Sequence, residues 1–234
     1  MIPPSSTRAR RTLTPMAQHA LQYAITDRRF FAGDERGRHL GLLRQAAILA
    51  AAGVDFLQLR EKDLSPPDLL ALTHTLRSFL PSGTAPKLLL NGPPAVAVAA
   101  SFDGLHLPAG WTSADLASAR RFFATAGLPP PSLSVSTHSL AEVQLATDAG
   151  ADLILFGPVF EKSVLAEIVL PGVGLETLAA ACQCAGARPV LALGGVNAAN
   201  LPDCLATGAA GVAAIRLFLP PDTLGSGSPA QPNP

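Results

Sequence analysis

Near its C-terminal end the chain reads Arg188-Pro-Val-Leu-Ala-Leu-Gly-Gly-Val-Asn197, and Gly208-Ala-Ala-Gly-Val-Ala-Ala-Ile-Arg216 follows one strand-helix unit later. Paired glycines at the end of an apolar strand let backbone N–H groups approach an anion, and the next helix turns its positive end to the same place. Gly194, Gly195, Ile215 and Arg216 are therefore expected phosphate-binding positions, with Gly157 after an earlier strand as another. The alternative is that Gly194 and Gly195 only make a tight strand-to-helix turn.

A second group is Gln58-Leu-Arg-Glu-Lys62. Alternation past a strand aims Arg60 and Lys62 to one side and Glu61 to the other. A carboxylate or phosphate is the natural target of such a pair, unless the cations are spent on Glu61 or Asp63 at the rim. His138 stands between a strand end and the capping box Ser139-Leu-Ala-Glu142. There a helix N-terminus disfavours the charged imidazole, so a neutral ring could take a proton; alternatively the ring only covers the helix start. His106, flanked by Leu105 and Leu107, reads first as a hydrogen-bonded barrel histidine. Gln58, Asn91, Thr137 and Glu161 complete the expected substrate-binding set with Arg60 and Lys62. There is no His-x-x-x-His, no Ser-His-Asp order and no pair of acids at strand ends, so the expected metal ligands are none.

The elements that must hold these residues recur as short β-prone runs: 21–26, 54–59, 87–91, 104–107, 133–136, 152–156, 190–193 and 211–215. Eight strands alternating with helices is the count of a closed parallel (β/α)8 barrel, an α/β fold whose chemistry lies at the C-terminal strand ends. Helix starts are marked by Ser65-Pro-Pro-Asp68 and by the box at Ser139. Leu40, Leu43, Ala47 and Ala50 fall on one face of the first long helix. Residues 156–175 read as a long loop without structure of its own, either a lid or disorder. Nothing after Ile215 reads as an eighth helix, because Leu217-Phe-Leu-Pro-Pro221 breaks it. Either residues 13–20 cover the gap or a second subunit does, in a homodimer. The expected division is a flexible leader over 1–20, a single barrel domain over 21–219 and a disordered Pro/Gly/Ser-rich tail over 220–234.

Lysine plus arginine balance aspartate plus glutamate, 17 against 17. No overall field recruits nucleic acid or an anionic membrane, so neither is an expected partner. Three cysteines, Cys182, Cys184 and Cys204, match neither a zinc ribbon nor a redox pair and read as reduced packing residues of a cytoplasmic protein. No apolar run approaches the roughly 20 residues of a membrane span.

With Gln58-Leu-Arg-Glu-Lys62, Ser136-Thr-His-Ser-Leu-Ala-Glu142, Gly150-Ala-Asp-Leu-Ile-Leu-Phe-Gly-Pro158 and Leu193-Gly-Gly-Val196 in matching order, the chain resembles the thiamine phosphate synthase superfamily over residues 21–218. The resemblance implies one of two activities on one barrel. The synthase is a transferase that joins a pyrimidine pyrophosphate to a thiazole phosphate using Mg²⁺; the thiazole tautomerase (TenI) branch isomerises a thiazole carboxylate phosphate without metal. The synthase pattern has Asn-Asp after the third strand, where this chain has Asn91-Gly92. It has an aspartate five residues after the fourth-strand histidine, where Trp111 stands, and a Thr-x-Thr-Lys loop where Lys162-Ser-Val-Leu165 stands. Asn91-Gly92, Leu107-Pro-Ala-Gly110 and Val159-Phe-Glu161 resemble the tautomerase branch instead. That resemblance implies an isomerase with no cofactor, a small phosphorylated thiazole as substrate and His138 as its acid and base. The alternatives are a synthase with an altered metal site and a non-catalytic phosphate-binding barrel.

Overall fold

The computed structural model describes residues 19–80, 86–164, 167–220 and 223. Eight parallel strands close into a barrel: β1 (Leu21–Ile25), β2 (Phe56–Leu59), β3 (Lys87–Leu90), β4 (Gly104–Leu107), β5 (Ser132–Thr137), β6 (Leu153–Phe156), β9 (Val190–Leu193) and β10 (Gly211–Ala214). Each pairs with its sequence neighbour in the barrel, and β1 closes the ring on β10 with Leu21 opposite Gly211 and Ala24 opposite Ala214. The expected (β/α)8 fold is the observed one.

Helices cover the outside because most strand runs are followed by a segment that buries one face, and Asp34, Ser65, Thr112 and Ser139 cap four of these segments through their side chains. The helices are α1 (Glu35–Ala51), α2 (Pro66–Phe79), α3 (Pro94–Ala99), α4 (Ser113–Thr125), α5 (Leu140–Asp148), α6 (Gly174–Ala185) and α7 (Leu201–Ala206). Ser65 caps α2 by accepting from Asp68 N, with proline in the first turn, where a missing N–H costs nothing. Residues alternate in and out along every strand. Ala24, Leu57, Leu88, Leu90, Ile154 and Val212 join the shell beneath the helices, whereas Tyr23, Ile25, Leu89, Leu153, Leu155 and Leu191 fill the barrel itself. The inner layer also carries Gln58, His106 and Ser134, all buried. Polar groups kept in a dry interior need partners; theirs are described below.

One expectation is corrected. The segment 156–175 is not a structureless loop: it holds β7 (Lys162–Val164) and β8 (Glu167–Leu170), paired antiparallel. Val159 N and Phe160 N first run beside β9, donating to Leu193 O at 2.8 Å and Gly194 O at 3.1 Å. After β10 the chain makes a short 3-10 turn, Arg216–Phe218, tied to α1 by Gln45 Nε2 donating to Phe218 O at 2.9 Å, and no eighth α-helix follows among the described residues. The expected leader lies outside the described residues except at its last two positions, as does nearly all of the expected tail. Cys182, Cys184 and Cys204 are unpaired, and burial pushes the Cys182 and Cys204 thiols up, as for packing residues. Among the described residues no helix is long and apolar enough to cross a membrane.

Candidate functional site

At the C-terminal ends of the strands a cavity of ≈ 400 Å³ opens into the barrel. Its polar lining comes from Gln58 on β2, Arg60 and Lys62 after it, Asn91 after β3, His106 on β4, and Ser136 and His138 at the end of β5. Ile25, Leu155, Leu193 and Ile215 form the apolar wall.

Arg60 and Lys62 reach the cavity because Glu61 is held elsewhere. Glu61 is buried and accepts from Thr26 Oγ1 at 2.6 Å, Arg28 N at 3.1 Å and Arg28 Nη1 at 3.0 Å. Arg28 is itself buried and also pairs with Asp63 and Glu35. Burial pushes the Glu61 carboxyl up, against the Thr26 hydroxyl and Arg28, which hold it down. Asp27 is occupied by Arg29 at 2.7 Å. The acids that could have neutralised Arg60 and Lys62 are thus spent on Arg28 and Arg29, and among the described residues neither cavity cation forms a salt bridge. Burial lowers the Arg60 pKa, with Asp27 opposing; Lys62 is lowered foremost by the neighbouring Arg60 charge. Two like charges facing one cavity are relieved by an anion placed between them.

His138 lines the cavity with its orientation fixed. Its Nδ1–H donates to the Gly157 carbonyl, which leaves Nε2 for the cavity side. The capping box is half realised: Ser139 Oγ accepts from Glu142 N at 3.3 Å, but Glu142 Oε2 accepts from His138 N at 2.6 Å. That bond holds His138 rather than Ser139.

Gly194 and Gly195 both take positive φ, +90 and +67. A Cβ at either would meet the β6 loop, 2.6 Å from Pro158 Cβ and 2.6 Å from Phe160 Cβ respectively. The pair therefore makes the tight turn and admits the neighbouring loop. Among the described residues the N–H groups of Gly194, Gly195, Val196, Arg216 and Leu217 have no protein acceptor, so amides at the ends of both β9 and β10 remain open to a ligand. The Arg216 side chain is exposed and lies over the Phe30 ring, 5.8 Å from its centroid. It neither blocks nor lines the cavity.

Other expected site residues are not brought there. Thr137 is fully buried, with its hydroxyl toward Leu155 O at 3.5 Å. Gly157 serves through its carbonyl, and Glu161 is exposed outside the cavity. Sequence reasoning missed Ser136, Ser134 and Tyr23; the alternation in Leu133-Ser-Val-Ser136 was the available signal, since it turns both serines inward.

The donor set does not fit Mg²⁺. A Cβ at Gly92 would already lie 2.9 Å from Leu69 Cδ2, and the Trp111 indole N–H is committed to Ser136 O at 2.9 Å. Among the described residues no three His, Cys, Asp or Glu side chains are grouped to hold a metal. A hard cation needs oxygen ligands that these positions lack.

Comparison with known proteins bears on the activity. Residues 22–218 match the family model described as thiamine monophosphate synthase. A thiamine-phosphate synthase of Chloroflexus aurantiacus is 33% identical over 86% of this chain and 85% of its own length. One of Methanoculleus marisnigri is 36% identical over 82% and 84%. The thiamine phosphate pyrophosphorylase of Pyrococcus furiosus superposes with a TM-score of 0.68 at 25% identity, covering 88% of this chain and 91% of its own. These relatives overturn the expectation of an isomerase. The features that pointed to a tautomerase, Gly92, Trp111 and the altered loop after β6, report on a metal site; they do not report on which bond is made. With the match spanning the whole barrel, from the second residue of β1 to the turn after β10, the chain belongs to the thiamine monophosphate synthase family.

Proposed function

We propose that the chain is a transferase of the thiamine-phosphate synthase type, joining a pyrimidine pyrophosphate to a thiazole phosphate. The observation that carries this reading is that Arg60 and Lys62, which form no salt bridge among the described residues, line the cavity after β2, while amides without a protein acceptor lie just past its lining residues Leu193 and Ile215, after β9 and β10, with β1 between the two places. Two such places suit the two phosphorylated substrates that a synthase joins. In the reaction the thiazole nitrogen forms a C–N bond to the methylene carbon of the pyrimidine as the C–O bond to pyrophosphate breaks and its electron pair leaves on oxygen. No proton has to move, so His138 acts as an oriented hydrogen-bonding wall rather than as an acid or base. Arg60 and Lys62 meet the charge that develops on the leaving group, the place where preorganised cations stabilise a transition state most. No step is assigned to a metal.

The test is formation of thiamine phosphate from the two substrates by purified protein, followed chromatographically. The missing metal ligands favour one second reading, a barrel that binds both anions without joining them. It would bind pyrophosphate and thiazole phosphate in calorimetry and form no product.

A further inference from the structure

Across the barrel interior, beneath the cavity, five side chains from four strands form one continuous hydrogen-bonded chain. Tyr23 Oη donates to Gln58 Oε1 at 3.0 Å and lies 2.8 Å from Ser134 Oγ. Ser134 Oγ is 2.9 Å from His106 Nδ1, and His106 Nε2 is 3.0 Å from Ser136 Oγ. The two ends, Gln58 and Ser136, both line the cavity. Tyr23, Ser134 and His106 carry the connection between them and are buried.

We infer that Tyr23, Ser134 and His106 are positioning residues that hold one hydrogen-bond donor and one acceptor on the cavity floor, and so select a heteroaromatic ring by its donor–acceptor edge. The argument is one of proton counting. A hydroxyl has a single proton. Tyr23 gives its proton to Gln58, so Ser134 must donate to Tyr23. Ser134 is then spent, so His106 Nδ1–H must donate to Ser134. Burial, with Arg60 and Lys62 adding to it, pushes the His106 imidazole down to about 3, so the ring carries one N–H and its Nε2 is bare. Ser136 must therefore give its proton to Nε2 and turn its lone pairs to the cavity. At the other end the Gln58 carbonyl is occupied, and its NH₂ is left for the ligand. The floor therefore shows one donor, the Gln58 NH₂, and one acceptor, the Ser136 hydroxyl. Resting on the transferase reading, the matching ligand is the aminopyrimidine, whose ring nitrogen accepts and whose adjacent amino group donates.

Two measurements test this. The first needs no ligand: ¹⁵N NMR of the labelled full-length protein should show His106 as one neutral tautomer, and Ser134→Ala, which cuts the chain at its middle, should give a mixture. The second is calorimetry with hydroxymethyl-aminopyrimidine and with its oxo counterpart, in which N–H and C=O replace the ring nitrogen and the amino group. The wild-type protein should prefer one ring by at least about tenfold, because buried polar groups left unpaired reject the wrong pattern. Ser134→Ala and Tyr23→Phe should bring the preference within about threefold while total affinity changes less, a readout that general loosening would not move. Mixed tautomers in the wild-type protein, or an unchanged preference in both variants, overturn the chain. If neither ring binds while His106 still holds one tautomer that Ser134→Ala releases, the chain stands and the pyrimidine reading of the site falls.

Discussion

Replacing Arg60 by glutamine removes one full charge from the cavity while keeping a side chain of similar reach and hydrogen-bonding capacity. Arg60 is half-buried and has no salt-bridge partner among the described residues, so the change breaks no ion pair inside the protein. A hydrogen bond to a charged group is worth about 1.5–3 kcal/mol, which converts to a loss of about 10- to 150-fold in affinity for inorganic pyrophosphate. The geometry places the result at the lower end. Lys62 is held down foremost by the Arg60 charge, so removing that charge relieves Lys62 and offsets part of the loss. The assay is calorimetry with pyrophosphate in buffer containing EDTA, at low and at raised salt. Affinity should fall roughly tenfold in Arg60→Gln, and the salt dependence should be shallower than in the wild-type protein. The pH profile adds a sign. An anion favours protonated Lys62, whose pKa is lowered, so wild-type affinity should decline as pH rises through a range below that of ordinary lysine, and Arg60→Gln should move that decline to higher pH. A dissociation constant within twofold of wild type at every salt concentration would refute the placement of the pyrophosphate charge on this pair.

EDTA should leave thiamine phosphate formation unchanged, since neither Gly92 nor Trp111 can ligate a cation; activity lost to EDTA and restored by Mg²⁺ would refute a charge balance resting on side chains alone. His138→Ala should lower turnover by less than about tenfold, because bond formation transfers no proton, whereas loss of a general acid or base would cost about 10²–10⁴-fold. Arg216→Ala should leave phosphate affinity within about threefold and cost at most about 1 kcal/mol of stability, the scale of an exposed cation–π contact; a large, salt-sensitive loss of binding would place its side chain at the anion after all. His106 is moved from the ordinary 6.5 to about 3 by burial. A depressed imidazole gives stability that is complete above the unfolded value and is lost as pH falls from 6.5 toward 3. By about pH 4 this amounts to ~3 kcal/mol, so urea midpoints should fall more steeply with acid in the wild-type protein than in His106→Gln; parallel slopes would contradict it.

The barrel was legible because its strands are buried on both faces and read as short, nearly continuous apolar runs, a signal that survives without knowledge of partners. Observed and expected strands differ by no more than two residues at any end, and β4 and β9 coincide. The β7–β8 hairpin was not legible: its residues lie where the strand-helix alternation leads one to expect a connection. Residues whose roles depend on partners far along the chain were hardest. Arg216 has the composition of a phosphate ligand, but Phe30, 186 positions earlier, takes its guanidinium. Alternation turned Glu61 away from Arg60 but left open an ion pair at the rim, and only Arg28 and Thr26, far along the chain, show what holds it away.

The glycine pair shows why one local pattern can carry two meanings. Gly194 and Gly195 leave amides open at the mouth, as an anion site requires, and they also leave room for Pro158 and Phe160 to pack beside β9. Adding a side chain at Gly195 would place its Cβ 2.6 Å from Phe160 Cβ on a backbone with φ of +67. Such a variant would displace the β6 loop and weaken an anion at the same time, so loss of binding there could not be assigned to the amides. Arg60 and Lys62 have no such double duty. Charge can be removed from them without moving the backbone, and there the chemistry of this site can be separated from its folding.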